Sequence, residues 1–579
     1  MSTIGRRATA RGARQAVAAL AWVGLALLVG CGGGGGDAPP PQPPPTGSGE
    51  VERNDPAVYS ASPLGSLPGA EEAAAVTRHT LMLDGQPLAY TATAGHLIAR
   101  HPTTNAAQAS MFYVAYTLDG ADPAQRPVTF FYNGGPGSAS VWLQLGSFGP
   151  KRLVSGVPAT TGPRPFPLVD NSDSLLDRSD LVYVNAVGSG RSQAIAPFVN
   201  QQFWGVDADA AVFRDFIRRY LQFHGRLASP LFLYGESYGG PRTAVLARLL
   251  QLDGLPPDGL VLQSPALDYN SNCGVSATPG ISCAGYLPSY AAVGAWHGLT
   301  NPVPTDLEAW LAGARAVTAD AYGPAVQAWL TAGTAAPSLW QPLADLTGLP
   351  AVQWQFQLNV GPTAYRERLI LGELIGRYDG RMKAPVGSEL AREGDPSNTW
   401  VSDSFEAAIG PYLRETLKYR NSSTYVLFSN AIEHWDFRHD GRALPDTVPD
   451  LAAALAADPA LRVLAVNGVH DLATPFHTTE LDLARLADPA RVSVRNYPGG
   501  HMSFLDDGTR PRQRADLQAF YAEVVALQPQ RSLRRPLAAA PAARGRDVAG
   551  EPPTRGSMPL VVEPSVQTPH RDPWVPPSR

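Results

Sequence analysis

Gly235, Ser237 and Gly239 stand in a Gly-x-Ser-x-Gly spacing inside the run Leu-Phe-Leu-Tyr-Gly-Glu-Ser-Tyr-Gly-Gly at 231–240. A serine hydroxyl becomes a nucleophile once a neighbouring base can take its proton. This spacing suits a sharp turn, because small flanking residues let the backbone pass close while the hydroxyl stands out above a helix N-terminus. The pattern alone also describes an ordinary Gly-rich turn. Two later stretches supply partners. Asp471 closes the loop Asn467-Gly468-Val469-His470-Asp471, and His501 follows Tyr497-Pro498-Gly499-Gly500. Serine, carboxylate and histidine, each just after a predicted strand, are the groups that acyl transfer through a covalent intermediate requires, and they stand in one of the chain orders such triads use. His470 is a rival base, and its place ahead of the acid counts against it. Upstream lies Asn133-Gly134-Gly135-Pro136-Gly137. A backbone so rich in glycine can turn its N–H groups toward an anion. The N–H groups of Gly135 and of Tyr238, the residue after the serine, are the candidate oxyanion donors. A plain tight turn is the alternative for that loop.

These residues need elements to hold them. The apolar run at 231–234 predicts a buried strand, and 241–250 a helix. Residues 128–132 (Val-Thr-Phe-Phe-Tyr), 180–185, 260–262, 462–466 and 492–496 also read as strands, and 208–220 as an amphipathic helix. Residues 80–90 and 111–118 alternate around turn signals such as Asp84-Gly85 and predict antiparallel strands at a sheet edge. Strand and helix alternate around a buried sheet, so the fold class is α/β, doubly wound. From about 285 to 419 the pattern turns helical, which predicts a cap inserted over the active site. Its Trp296, Trp310, Trp340 and Trp354 are expected mainly in a core.

The chain has 579 residues, enough for one large domain or two to three small ones. Its net charge of −5 argues against a general nucleic-acid binder. Arg6, Arg7, Arg11 and Arg14 precede an apolar run at 16–30, too short for a comfortable membrane span and suited to a signal peptide. The run ends Leu28-Val29-Gly30-Cys31, which resembles the bacterial lipoprotein cleavage box and implies lipid on Cys31. An ordinary signal peptide with a chance cysteine is the alternative. Residues 31–74 begin with a glycine run and a polyproline run and read as a spacer, which places the protein on the cell envelope. The folded part is expected over 75–528, and 529–579, rich in Pro, Ala and Arg, reads as a disordered tail. Cys273 and Cys283 bracket a short loop, either as a disulfide or as two unrelated thiols. No metal-binding spacing occurs in the sequence, and no cofactor is expected.

Asn133-Gly134-Gly135-Pro136-Gly137, Gly235-Glu236-Ser237-Tyr238-Gly239-Gly240, the 468–471 loop and Gly500-His501-Met502 together resemble the serine carboxypeptidase family. The resemblance spans roughly 75–528. It implies an α/β-hydrolase fold, with a central, mostly parallel sheet and a helical cap, and release of residues from peptide C-termini. It makes Ser237 the nucleophile, His501 the base, Asp471 its orienting acid, and Gly135 with Tyr238 the oxyanion hole. It also makes Asn133, Gly134 and Glu236 the binders of the substrate's terminal carboxylate. Two carboxylates in a poorly solvated pocket must share a proton, so Glu236 would favour acid conditions; a local salt bridge is its alternative role. Two departures stand out. Many family members have a cysteine where this chain has Ser138, and a glutamate where it has Ser147. The second bears on the exopeptidase preference. An esterase or acyltransferase on the same machinery, or a non-catalytic binding protein that keeps the fold, are the rival readings.

Overall fold

The computed structural model describes residues 49–527, apart from 276, 277 and 279. The expected signal peptide, Cys31, the expected spacer up to 48 and the expected tail lie outside the described residues.

Ten strands make one sheet. In chain order its main strands are β1 (Ala74–Leu83), β2 (Gln86–Arg100), β3 (Ala107–Leu118), β4 (Val128–Tyr132), β5 (Asp180–Val184), β6 (Leu231–Glu236), β7 (Gly259–Gln263), β8 (Arg462–Gly468) and β9 (Val492–Tyr497). Their order across the sheet is β9-β8-β7-β6-β4-β5-β3-β2-β1, with Gln193–Ala194 pairing on β3. From β9 to β5 every pair is parallel, and β5, β3, β2 and β1 pair antiparallel. β1 and β2 are joined by the tight turn expected at Asp84-Gly85, where both residues have positive φ.

The central strands are buried on both faces, so their apolar runs sort by the pleat. α1 (Val141–Gly146) follows β4. Phe130, Tyr132, Leu231 and Leu233 enter one core with α2 (Val206–Phe223) and α3 (Gly239–Leu252). Phe131, Phe232 and Tyr234 enter the other, which α4 (Arg510–Ala526) covers with Leu517, Phe520, Tyr521 and Val524. α2 buries Val212, Phe213, Phe216, Ile217 and Tyr220 in one stripe. Each such side chain is worth about 1.5–3 kcal/mol on burial.

Between β7 and β8 the chain is mostly helical and has a core of its own, built on Tyr286, Leu287, Tyr290, Trp354 and Tyr365. Of the four tryptophans singled out there, Trp354 is fully buried. Trp296 is half exposed, with the Arg381 guanidinium over its ring at 5.5 Å and the His470 ring edge-on to it at 5.9 Å. Cys273 and Cys283 are joined as a disulfide with their Cα atoms 5.3 Å apart.

The expected spacer needs correction. Residues 49–74 do not stand off from the fold. Val51 exchanges two 2.8 Å backbone hydrogen bonds with Val76, and Arg53–Asn54 pairs in parallel with Tyr419–Arg420. Leu67 packs with Ile98 and Ile195. Asp55 accepts from Tyr59 Oη (2.8 Å), from Tyr419 Oη and from the Ala57 N–H. The segment has no apolar periodicity because it forms no long element. Its contacts are single residues meeting distant partners.

Candidate active site

β6 ends at Glu236 and α3 begins at Gly239, which leaves two residues for the turn. Ser237 takes it with φ of 60°, a left-handed conformation that costs a non-glycine residue roughly 1–3 kcal/mol. A Cβ on Gly235 would lie 2.2 Å from Gly239 O and 2.4 Å from Thr243 Oγ1. Only glycine lets the helix return so close over the strand. The Ser237 N–H donates to Gln263 O of β7 at 2.9 Å, and its carbonyl accepts from Gly240 N at 2.9 Å. The backbone is thus fixed on both sides of the hydroxyl.

His501 and Asp471 reach the same place from the loops after β9 and β8. His501 Nδ1 donates to Asp471 Oδ2 at 2.7 Å, and both side chains are almost fully buried. Asp471 Oδ1 accepts the N–H groups of Ala473 (2.7 Å) and Thr474 (3.1 Å). Thr474 Oγ1 lies 2.9 Å from Asp471 Oδ2 and 3.0 Å from His501 Nδ1, which braces the pair. The loops interlock through glycine: a Cβ on Gly468 would sit 2.1 Å from Gly500 O, and one on Gly500 would sit 2.2 Å from Tyr378 O. Burial disfavours the His501 imidazolium, but the Asp471 carboxylate and Glu236 outweigh it and raise its pKa above the ordinary 6.5. Ser237 and His501 line one cavity, and among the described residues no hydrogen bond joins them. Such contacts often close only when substrate binds. The rival His470 is absent from that lining. Burial and the Arg381 charge push its pKa far down, and its Nδ1 accepts the Gly499 N–H at 3.3 Å.

The Asn133 loop forms another wall. Gly134 passes so close that a Cβ there would lie 2.4 Å from Tyr238 N and 2.6 Å from Glu236 O. Among the described residues, the N–H groups of Gly135 and Tyr238 donate to no protein acceptor. Tyr238 is also the N-cap residue of α3, where the helix dipole favours an anion. Backbone hydrogen bonds to the segment at 427–429 hold the loop in shape. Ala139 N donates to Leu427 O (2.8 Å), Ser429 N donates to Gly137 O (3.0 Å), and Ser138 pairs with Phe428.

Glu236 is buried in this cavity, with Oε1 accepting from Asn133 Nδ2 at 2.7 Å and Oε2 unpartnered. Burial pushes its pKa up to about 7; the neighbouring Asp471 charge adds to this, while His501 and the Asn133 bond oppose it. Ser147 does not join Glu236. Its hydroxyl donates to Leu143 O at 2.6 Å and it does not line the cavity, so a single carboxyl faces the substrate space.

Several lining residues escape sequence reasoning. Trp142 contributes a buried indole N–H with no partner, and Arg377, Tyr378 and Asn398 come from the helical segment. Thr474, three residues after the acid, could have been found as a capping residue of that turn. Nothing local marks Arg377. A groove of about 350 Å³ shares Gly135, Ser138, Tyr378, Asn398 and Phe428 with the cavity and leads away from it.

Residues 84–253 match the family model described as serine carboxypeptidase. That span holds the Asn133 loop and Ser237, and stops short of Asp471 and His501. No curated protein matches the sequence. Among solved structures, the prohormone-processing carboxypeptidase Kex1 of Saccharomyces cerevisiae is 16% identical, with a TM-score of 0.48 over 75% of this chain and 91% of that one. A proline iminopeptidase of Mycobacterium smegmatis is 15% identical, with a TM-score of 0.31 over 75% of this chain and 100% of that one. An esterase of Thermogutta terrifontis is 13% identical, with a TM-score of 0.32 over 74% and 98%. The strand order, the turn at Ser237 and the loops after β8 and β9 are those of an α/β-hydrolase.

Proposed function

We propose that this chain, a hydrolase of serine carboxypeptidase type over residues 84–253, releases residues from peptide C-termini through an acyl-enzyme on Ser237. In this reading Ser237 Oγ attacks the carbonyl of the last peptide bond as His501 Nε2 takes the hydroxyl proton. Asp471 holds the imidazole in the required tautomer and stabilises its charge. The N–H groups of Gly135 and Tyr238 receive the oxyanion. The C–N bond then breaks, and His501 returns the proton to the departing amino group. Water, deprotonated by His501, releases the remaining acyl chain from Ser237.

One observation carries the exopeptidase part of the reading. Glu236, held by Asn133, presents a buried and unpartnered Oε2 to the cavity that holds Ser237 and His501. A protonated Glu236 can donate to a substrate's terminal carboxylate, and an ionised one repels it. The single carboxyl left by Ser147 favours a second reading, an esterase or acyltransferase that needs no free carboxylate. A peptide with a free C-terminus and its amide separate the two. They would be incubated with wild type and Ser237→Ala from pH 4 to 8. Stepwise loss of residues from the free acid alone, absent in the variant, supports the carboxypeptidase. Turnover of an ester with neither peptide cut moves the assignment to the esterase.

We also propose, from the sequence around Cys31 alone, that the protein is tethered to the bacterial envelope by lipid. If Cys31→Ser still sediments with membranes after a salt wash, that tether is wrong.

A further inference from the structure

A second cavity of about 300 Å³ shares no lining residue with the catalytic one. Three separate parts of the chain meet there: Asn54 and Asp55 before β1, Arg191 in the loop after β5, and Arg414, Tyr419 and Arg420 at the end of the helical segment. Three guanidinium groups therefore line one space.

Arg191 is the unusual member. It is 6% exposed, and only its Nη2 is bonded, to Ser423 O at 3.2 Å. Its Nε and Nη1 are buried without a partner, and the guanidinium lies over the Tyr419 ring at 5.4 Å. An arginine stays charged in a protein, so this is a buried cation with donors unspent. Such a group is costly to bury unless an anion answers it.

The nearby carboxylates do not fill that role. Asp55 also lines the cavity but makes no ion pair with Arg191, and its oxygens already accept from Tyr59, Tyr419 and Ala57 N. Glu52 takes one N–H of Arg420 and Glu415 one of Arg414, at the half-exposed rim. Each of those arginines has five N–H donors, so most remain for a ligand.

We propose that this cavity binds a phosphoryl group, as inorganic phosphate or a phosphomonoester. Three guanidinium groups converging from two segments suit a multivalent oxyanion, and paired N–H groups match its geometry. The volume leaves space for an ester substituent. This site is independent of the hydrolytic reading.

The test is calorimetric titration and thermal denaturation of the purified protein with inorganic phosphate and with glycerol 3-phosphate, each against chloride at matched ionic strength. Saturable binding with a rise in Tm is expected in wild type. The double variant Arg414→Gln/Arg420→Gln, at half-exposed positions outside the catalytic cavity, should fold normally and bind at least about tenfold more weakly. Arg191→Gln should abolish binding if it folds. Comparable affinity for both ligands would assign free phosphate, and a clear preference for the ester would assign a phosphomonoester. Absence of saturable binding to either, or equal binding by the double variant, would overturn the proposal.

Discussion

At the residue scale, the proposed chemistry turns on where two protons sit. His501 must be neutral to accept a proton from Ser237, and Asp471 with Glu236 raises its pKa. Glu236 must be protonated to meet a carboxylate, and its pKa is about 7. The two groups interact, so any pH profile reports the pair and neither residue alone. For free-acid peptides, the proton on Glu236 is present below about pH 7 and lost above it. kcat/KM should therefore fall on the alkaline side, mainly through KM, while matched esters keep their rate. Glu236→Gln retains a donor at every pH and should flatten that limb; an unchanged limb would remove Glu236 from carboxylate binding. Asp471→Asn keeps the shape of the pair but favours the wrong imidazole tautomer. A kcat loss on the order of 10³–10⁴-fold is expected, measured with an ester to isolate acyl transfer.

At the element scale, the turn between β6 and α3 is the tightest constraint. Ser237 holds a left-handed backbone because β7 and α3 fix it on both sides. Gly235→Ala places a methyl against Gly239 O and Thr243 Oγ1, and should destabilise the fold by about 1–3 kcal/mol or more. Denaturant unfolding reads that cost, and a stability equal to wild type would mean that the turn can relax. The Asn133 loop depends on the segment around 427–429 for its backbone hydrogen bonds. A network of backbone bonds positions that loop.

At the scale of the whole molecule, residues 49–74 belong to the folded unit. A chain beginning at residue 75 loses the partner strand of Tyr419–Arg420 and uncovers Ile98 and Ile195. It should be less stable than one beginning at residue 49 by at least about 2 kcal/mol, read by denaturant unfolding. Acid should loosen the same segment. Burial raises the Asp55 pKa, but hydrogen bonds from Tyr419 and Tyr59 more than offset it, and the pKa ends below 3.8. A carboxyl with a depressed pKa adds stability at pH values above its unfolded pKa and loses it as pH falls through its folded one. Asp55→Asn should therefore lower Tm at pH 7 and narrow its difference from wild type toward pH 3.

Local chemistry was legible in the order of residues. The turn around Ser237 needs small residues at fixed offsets. The strand that carries the candidate acid holds a continuous apolar run, because a sheet covered on both faces leaves no polar side to alternate. The edge strand before the candidate base mixes apolar and polar residues. Asp471 and His501 each lie in the loop after one of these strands. What the tertiary structure decided are contacts between residues far apart in the chain. Arg377 and Tyr378 enter the cavity at Ser237 from an inserted segment with no local signature. Thr474 reaches across to His501. Asp55 meets Tyr419, 364 residues away. Ser147 could be read as a missing carboxyl, yet only packing showed that its hydroxyl turns to Leu143 O, leaving Glu236 alone. Periodicity records the burial of a face. It does not record which distant side chain completes a pocket, because one contact leaves no repeat in the sequence.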